Sequence, residues 1–171
     1  MLFITGNKNK LVEAQKIIPG LKSRAVDVEE IQSMNPSEVV LAKAKAVAAH
    51  VQEPFFVEDV SLDIASLKGL PGPFIKFFVA KLGPEGIAAL AEGSQAVARA
   101  SICYFDGSEY HVVHGEVPGT IVQPRGENKF GFDPFFQPEG KQLTYGQKKK
   151  KKKNTLSHRY AALQKLKELL Q

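Results

Sequence analysis

Four short segments group residues able to do chemistry, and they are spread from one end of the chain to the other. The first is Thr5-Gly6-Asn7-Lys8-Asn9-Lys10, behind the apolar run Leu2-Phe3-Ile4 and ahead of helically spaced Leu11, Ala14, Gln15 and Ile18. A strand, a glycine turn and a helix start are expected to bring free backbone N–H groups and the positive end of a helix dipole to one spot, which suits phosphate. Lys8 and Lys10 add full charges. The pattern is not a Walker A loop, and an ordinary turn with solvated lysines accounts for it equally well.

The second segment is acidic. Glu58-Asp59 follows Phe55-Phe56-Val57, and Glu29-Glu30 closes a strand expected over residues 23–28. In open α/β sheets ligands gather at such strand ends. Carboxylates from two neighbouring ends could hold a hard cation such as Mg²⁺, which keeps several waters and could bridge phosphate oxygens. Surface acids at strand ends are the alternative; Asp59 reads as functional and Glu29 as surface. The third segment is Phe130-Gly131-Phe132-Asp133-Pro134. An exposed aromatic beside a glycine can stack a nucleobase, worth about 1–3 kcal/mol, whereas core is the commoner fate of phenylalanine. One of Phe130 and Phe132 is expected to be core.

The fourth segment, Ser157-His158-Arg159, opens the last helical stretch. Ser157 can cap that helix, but a cation in the first turn opposes its dipole, so Arg159 needs another reason to be there. Donors from His158 and Arg159 suit a carbonyl acceptor such as O6 of a 6-oxopurine. An adenine amino group would leave those donors unpaired. His50, His111 and His114 have no metal-site spacing and are read as structural.

The elements that must position these groups follow from periodicity. Apolar runs at Leu2–Ile4 and Phe55–Val57, with helical patterns after Thr5 and from Pro36, give an α/β beginning. Pro36 suits a first helical turn. Gly69-Leu70-Pro71-Gly72-Pro73 marks a turn, the apolar-basic stretch 74–82 follows, and a short helix is expected from Pro84 to Ala91. Strands over 97–105 and 110–117 flank a hairpin turn at Asp106-Gly107, and an amphipathic helix is expected over 161–170.

The chain has 171 residues, 43% of them hydrophobic, which fits one domain over 1–171 with a core that needs no staples. The single cysteine, Cys103, excludes an intrachain disulfide and suits a reducing, cytoplasmic setting. No apolar run is long enough to span a bilayer. The net charge of +5 comes from one segment, the six lysines Lys148–Lys153. Like charges in a row favour a solvated loop; attraction for a polyanionic substrate, a nuclear-import patch or a nucleic-acid patch are the other readings. A nucleic-acid module would spread its basic residues over a face with aromatics between them, so no stable nucleic-acid partner is expected. A nucleotide phosphotransferase would need a second substrate site and a phosphate loop of its own.

Taken together, the segments resemble the inosine triphosphate pyrophosphatase family. The resemblance runs through Thr5–Leu11, Val57-Glu58-Asp59, Gly69-Leu70-Pro71-Gly72-Pro73-Phe74-Ile75-Lys76, Pro84-Glu85-Gly86, Phe130–Pro134 and Ser157-His158-Arg159, with the third stretch similar to the eukaryotic branch. It implies an α/β fold with an elongated mixed central sheet flanked by helices, two lobes with a cleft between them, and a homodimer. It also implies Mg²⁺-dependent hydrolysis of deaminated purine nucleoside triphosphates (ITP, dITP, XTP) to monophosphate and pyrophosphate, with Mn²⁺ as a possible substitute. On the same basis Thr5, Gly6, Asn7, Lys8, Asn9 and Lys10 hold the phosphates, and Lys43 and Lys153 reach the triphosphate. Glu30 and Asp59 bind the metal, and Asp59 is the catalytic base. Val60 offers a backbone N–H. Phe130 stacks the base within Gly131 and Phe132, and Asp133, His158 and Arg159 line the base pocket. Two departures stand out: Val60 replaces a small polar residue, and the lysine run replaces a mixed loop of which only Lys153 matches.

Overall fold

The computed structural model describes residues 1–148 and 156–171; Lys149–Lys153, including the expected triphosphate contact Lys153, lie outside the described residues. Among the described residues one mixed sheet carries seven strands. They are β1 (Leu2–Ile4), β2 (Lys22–Arg24), β3 (Phe55–Ile64), β4 (Pro71–Gly72), β5 (Gln95–Phe105), β6 (Tyr110–Ile121) and β7 (Phe136–Pro138). Their order is β2-β1-β3-β5-β6-β7, with β4 beside β3. The β1 strand is parallel to both neighbours, while β3/β4 and β6/β7 are antiparallel. The helices are α1 (Lys8–Gln15), α2 (Pro36–Ala48), α3 (Ile75–Ala91) and α4 (His158–Leu169). The mixed sheet flanked by helices is the expected class.

The backbone contains two compact units. The first comprises residues 1–59, 100–115 and 159–171, the second 60–99 and 116–158. In the first, side-chain alternation on β3 builds two apolar clusters on opposite faces. Phe55 and Val57 join Leu2, Ile4 and Cys103 under Val40, Ala44 and Val47 of α2. Phe56 joins Phe3, Ile102 and Ala14 of α1, with Ala162, Leu163 and Leu166 of α4. The Phe3 and Phe56 rings stack with centroids 4.3 Å apart, as the register pairing these two residues requires. In the second unit Ile75, Ile87 and Ala91 of α3 pack on Leu62, Ile64, Ala98 and Ile121, together with Phe132, Phe135, Phe136 and Tyr145.

Several boundaries differ from the sequence reading, each for a local reason. The β3 strand does not end at Val57 but continues to Ile64, because apolar Leu62 and Ile64 resume the alternation beyond the acids. Glu58 and Asp59 are therefore mid-strand residues. The second strand is only Lys22–Arg24, so Glu30 lies in an irregular segment before α2, not at a strand end. The stretch 74–82 and the short helix merge into α3 across a break at Gly83 (φ 67°, ψ 174°). That left-handed φ needs glycine, and Pro84 follows where its missing N–H costs nothing, at the first turn of the second half. The final helix begins at His158, three residues earlier than its apolar period suggested. Strand β6 runs to Ile121, four residues past Val117.

Candidate active site

In the first unit the turn after β1 is built by its own polar side chains. Thr5 Oγ1 accepts from the Asn7 N–H at 3.1 Å, and Asn7 Oδ1 accepts from the Asn9 and Lys10 N–H groups at 3.0 and 3.2 Å. Asn7 is thus the N-cap of α1. The amides of Asn7, Asn9 and Lys10 are already hydrogen-bonded rather than open, a correction to the expectation of free N–H groups. Lys8, in the first turn of α1, is exposed. Lys10 is not a solvated lysine: its Nζ lies 3.2 Å from Glu58 Oε1.

Period-two alternation gives the adjacent acids of β3 different surroundings. Glu58 shares the face of Phe56, toward α1 and α4; Asp59 shares the face of Phe55 and Val57, toward α2. Glu58 is buried and accepts from Arg159 Nε at 2.8 and 3.1 Å and from Nη2 at 3.0 Å. Arg159 Nη1 donates to Glu13, which sits one turn beyond Lys10 on α1. Burial alone would raise the Glu58 pKa, but Arg159 and Lys10 outweigh it and bring it from 4.5 down to about 2. The same two carboxylates hold the Arg159 guanidinium charged against the opposing effect of burial. This is the reason a cation stands in the first turn of α4. Neither Glu13 nor the counter-ion role of Glu58 was legible from the sequence, since their partner lies more than a hundred residues away.

The pair has a pH signature. A carboxyl whose folded pKa is depressed contributes stability above its unfolded value that disappears as pH falls through the folded one. The Glu58 contribution is therefore complete above about pH 4.5 and lost toward about pH 2. Urea unfolding followed across that window should show stability falling with acid, with a shallower fall in Glu58→Gln; parallel slopes would remove Glu58 as the cause.

Asp59 behaves in the opposite sense. Burial raises its pKa, Lys10 and Lys43 oppose that rise, and the carboxylates of Glu30 and Glu58 add to it. Lys43, on α2, pairs with Glu30 at 2.5 Å. The structure thus brings Lys10, Lys43, Glu30 and Asp59 into one electrostatic neighbourhood. Among the described residues no group of three or more His, Cys, Asp or Glu side chains converges into a ready-made metal cage. A carboxylate pair with two lysines nearby fits a cation that takes few protein oxygens and completes its shell with water and phosphate.

In the second unit, residues 130–133 form a tight turn. The Asp133 N–H donates to the Phe130 carbonyl at 3.1 Å, and Gly131 between them has φ 56°. Phe132 is the core member of the two phenylalanines, and Phe130 is half-buried. Asn128 ties the turn together: Nδ2 donates to Asp133 Oδ2 at 2.7 Å, and Oδ1 accepts from the Phe130 N–H at 3.2 Å. The Gly146 N–H donates to the Asp133 carbonyl at 2.7 Å. A Cβ on Gly146 would lie 2.5 Å from the Arg125 carbonyl oxygen, so glycine is required for that approach. Buried His158 lies against Phe132 and Tyr145, with centroids 5.3 and 6.0 Å away. Val60 opens the part of β3 in this unit and packs partly buried against its core.

With its mixed sheet, its strand–turn–helix start beside two adjacent acids and its aromatic turn, the chain is an α/β protein that belongs to the Ham1 family: the family model matches residues 1–169. Among its relatives, the inosine triphosphate pyrophosphatase of Emericella nidulans is 43% identical, over 98% of this chain and 94% of its own length. That of Yarrowia lipolytica is 41% identical, over 99% and 95%. The fold is similar to a HAM1 protein from Coxiella burnetii (TM-score 0.82, 26% identity, 99% of this chain and 96% of that one). It is also similar to the Staphylococcus aureus Ham1 protein (TM-score 0.78, 26% identity, 99% and 96%). Among the described residues no helix is long and apolar enough to cross a membrane.

Proposed function

We propose that this chain hydrolyses deaminated purine nucleoside triphosphates, ITP, dITP and XTP, to the monophosphate and pyrophosphate, clearing them from the nucleotide pool before they enter DNA or RNA. The observation that carries the reading is the opposed condition of two adjacent acids: Glu58 is locked as a counter-ion while Asp59 keeps a raised pKa beside Lys10, Lys43 and Glu30. A carboxylate whose pKa burial raises above its ordinary value is a stronger base toward water than an exposed one. Relatives bearing the name inosine triphosphate pyrophosphatase supply the substrate class.

Asp59 orients and deprotonates the attacking water. Lys10 and Lys43, with exposed Lys8 and the α1 N-terminus, compensate the charge of the triphosphate. Glu30 and Asp59 would hold Mg²⁺, with Mn²⁺ as a possible substitute, and the chemistry supplied there would be Lewis-acid polarisation of phosphoryl oxygens and of water. Phe130 stacks the base, with Gly131, Phe132, Asp133 and His158 forming the walls. Arg159 is oriented by Glu58 and Glu13 and is the donor this reading assigns to the 6-oxo acceptor. The same reading carries a cytoplasmic homodimer.

Rates of pyrophosphate release with Mg²⁺ and ITP, XTP, dITP, GTP or ATP test this reading. ITP, XTP and dITP should be turned over at least about a hundredfold faster than ATP, the discrimination a site gains when a wrong ligand leaves its polar groups unpaired. Equal rates for ITP and ATP would overturn it.

A further inference from the structure

His114, on β6, stands between two serines of the first unit. Its Nε2 is 3.0 Å from Ser37 Oγ, on the first turn of α2, and its Nδ1 is 2.9 Å from Ser101 Oγ, on β5. Ser101 is buried and His114 and Ser37 are half-buried. The imidazole therefore joins three elements through both ring nitrogens. Its spacing in the sequence signalled nothing, because the partners lie 77 and 13 residues away.

The joined turn matters because of what it carries. Glu30 lies seven residues before Ser37 and Lys43 six after it, and the two side chains pair at 2.5 Å. The bonds within the turn are local: Asn35 Oδ1 accepts from the Ser37 N–H at 3.0 Å, and Ser33 Oγ donates to Glu38 Oε2 at 2.7 Å. Val40, Ala44 and Val47 seat the buried face of α2 on the apolar cluster. Apolar contact is non-directional and leaves helix register and tilt loosely set. A two-ended hydrogen-bonded bridge fixes the starting point of the helix against β5 and β6.

We propose that His114 is a positioning residue, holding the Glu30–Ser37–Lys43 stretch in place through Ser37 so that Glu30 and Lys43 meet the metal and the triphosphate at a set position. This inference rests on the nucleotide reading above. The bridge acts on ground-state placement of two binding groups, and on Asp59 only indirectly, through the opposed charges of Glu30 and Lys43. Its loss therefore weakens binding more than it slows chemistry.

The experiment compares Ser37→Ala, Ser37→Thr and His114→Phe with the unaltered protein. Loss of one side-chain hydrogen bond predicts a rise of about three- to tenfold in both the half-saturating Mg²⁺ concentration and KM for ITP. The kcat should change by less than about twofold. Ser37→Thr keeps the hydroxyl and should restore both values. Hydrogen exchange of the metal-free protein provides a readout independent of activity: amides from Glu30 to Lys43 should exchange faster in Ser37→Ala and His114→Phe, and as in the unaltered protein in Ser37→Thr. Unchanged exchange and unchanged Mg²⁺ dependence in Ser37→Ala would overturn the inference even if His114→Phe fails to fold. Equal behaviour of Ser37→Ala and Ser37→Thr would overturn it as well. Absence of pyrophosphate release by the unaltered protein would instead defeat the nucleotide reading.

Discussion

Asp59→Asn is expected to lower kcat for ITP by about 10²–10⁴, the usual contribution of a positioned general base, while leaving the protein at least as stable as before. The second half of that result follows from the sign of the Asp59 shift. Burial raises its pKa, so the folded protein bears a cost for keeping the carboxylate charged at neutral pH. A raised pKa means stability that declines as pH rises through the unfolded and then the folded value; a neutral amide removes the cost. Steady-state kinetics and thermal unfolding of the same preparation check both parts. A stable Asp59→Asn protein with substantial turnover would remove Asp59 from the mechanism.

Arg159→Met is expected to do the opposite, reducing stability first. Taking away one partner of a buried ion pair strands the other, at a cost of about 3–5 kcal/mol. Here the stranded group is Glu58, fully buried and, among the described residues, left with Lys10 beside it; Glu13 loses the same donor. Urea unfolding at pH 7 measures the loss. Adding Glu58→Gln to Arg159→Met should recover a large part of it, because the neutral amide no longer needs a counter-ion. A loss below about 1 kcal/mol, or strict additivity of the two changes, would show that the pair carries little energy. Two acids adjacent in sequence thus have opposite expected signatures, one in rate and one in stability, because a strand turns consecutive side chains to opposite faces.

That contrast also marks where the sequence was readable. Local signals told true: the glycine turn before α1, Pro36 at the first turn of α2, the hairpin at Asp106-Gly107 and the core fate of one of two phenylalanines all depend on near neighbours. Boundaries failed where tertiary packing overrides the local pattern. The β3 strand runs on through Glu58 and Asp59 because the charge of Glu58 is met by Arg159 and Lys10, partners that no window around residue 58 contains. The same distance concealed Glu13, and it concealed the bridge at His114. Glu30 was named as a candidate, but its place in an irregular segment held through Lys43 could not be read from a strand pattern.

Product identity tests the central claim most directly. With Mg²⁺ and ITP, the protein should release inosine monophosphate and pyrophosphate in equal amounts, with no inosine diphosphate at any time in the reaction. Inosine diphosphate and orthophosphate as first products would place the cleavage between the β- and γ-phosphates and contradict the account.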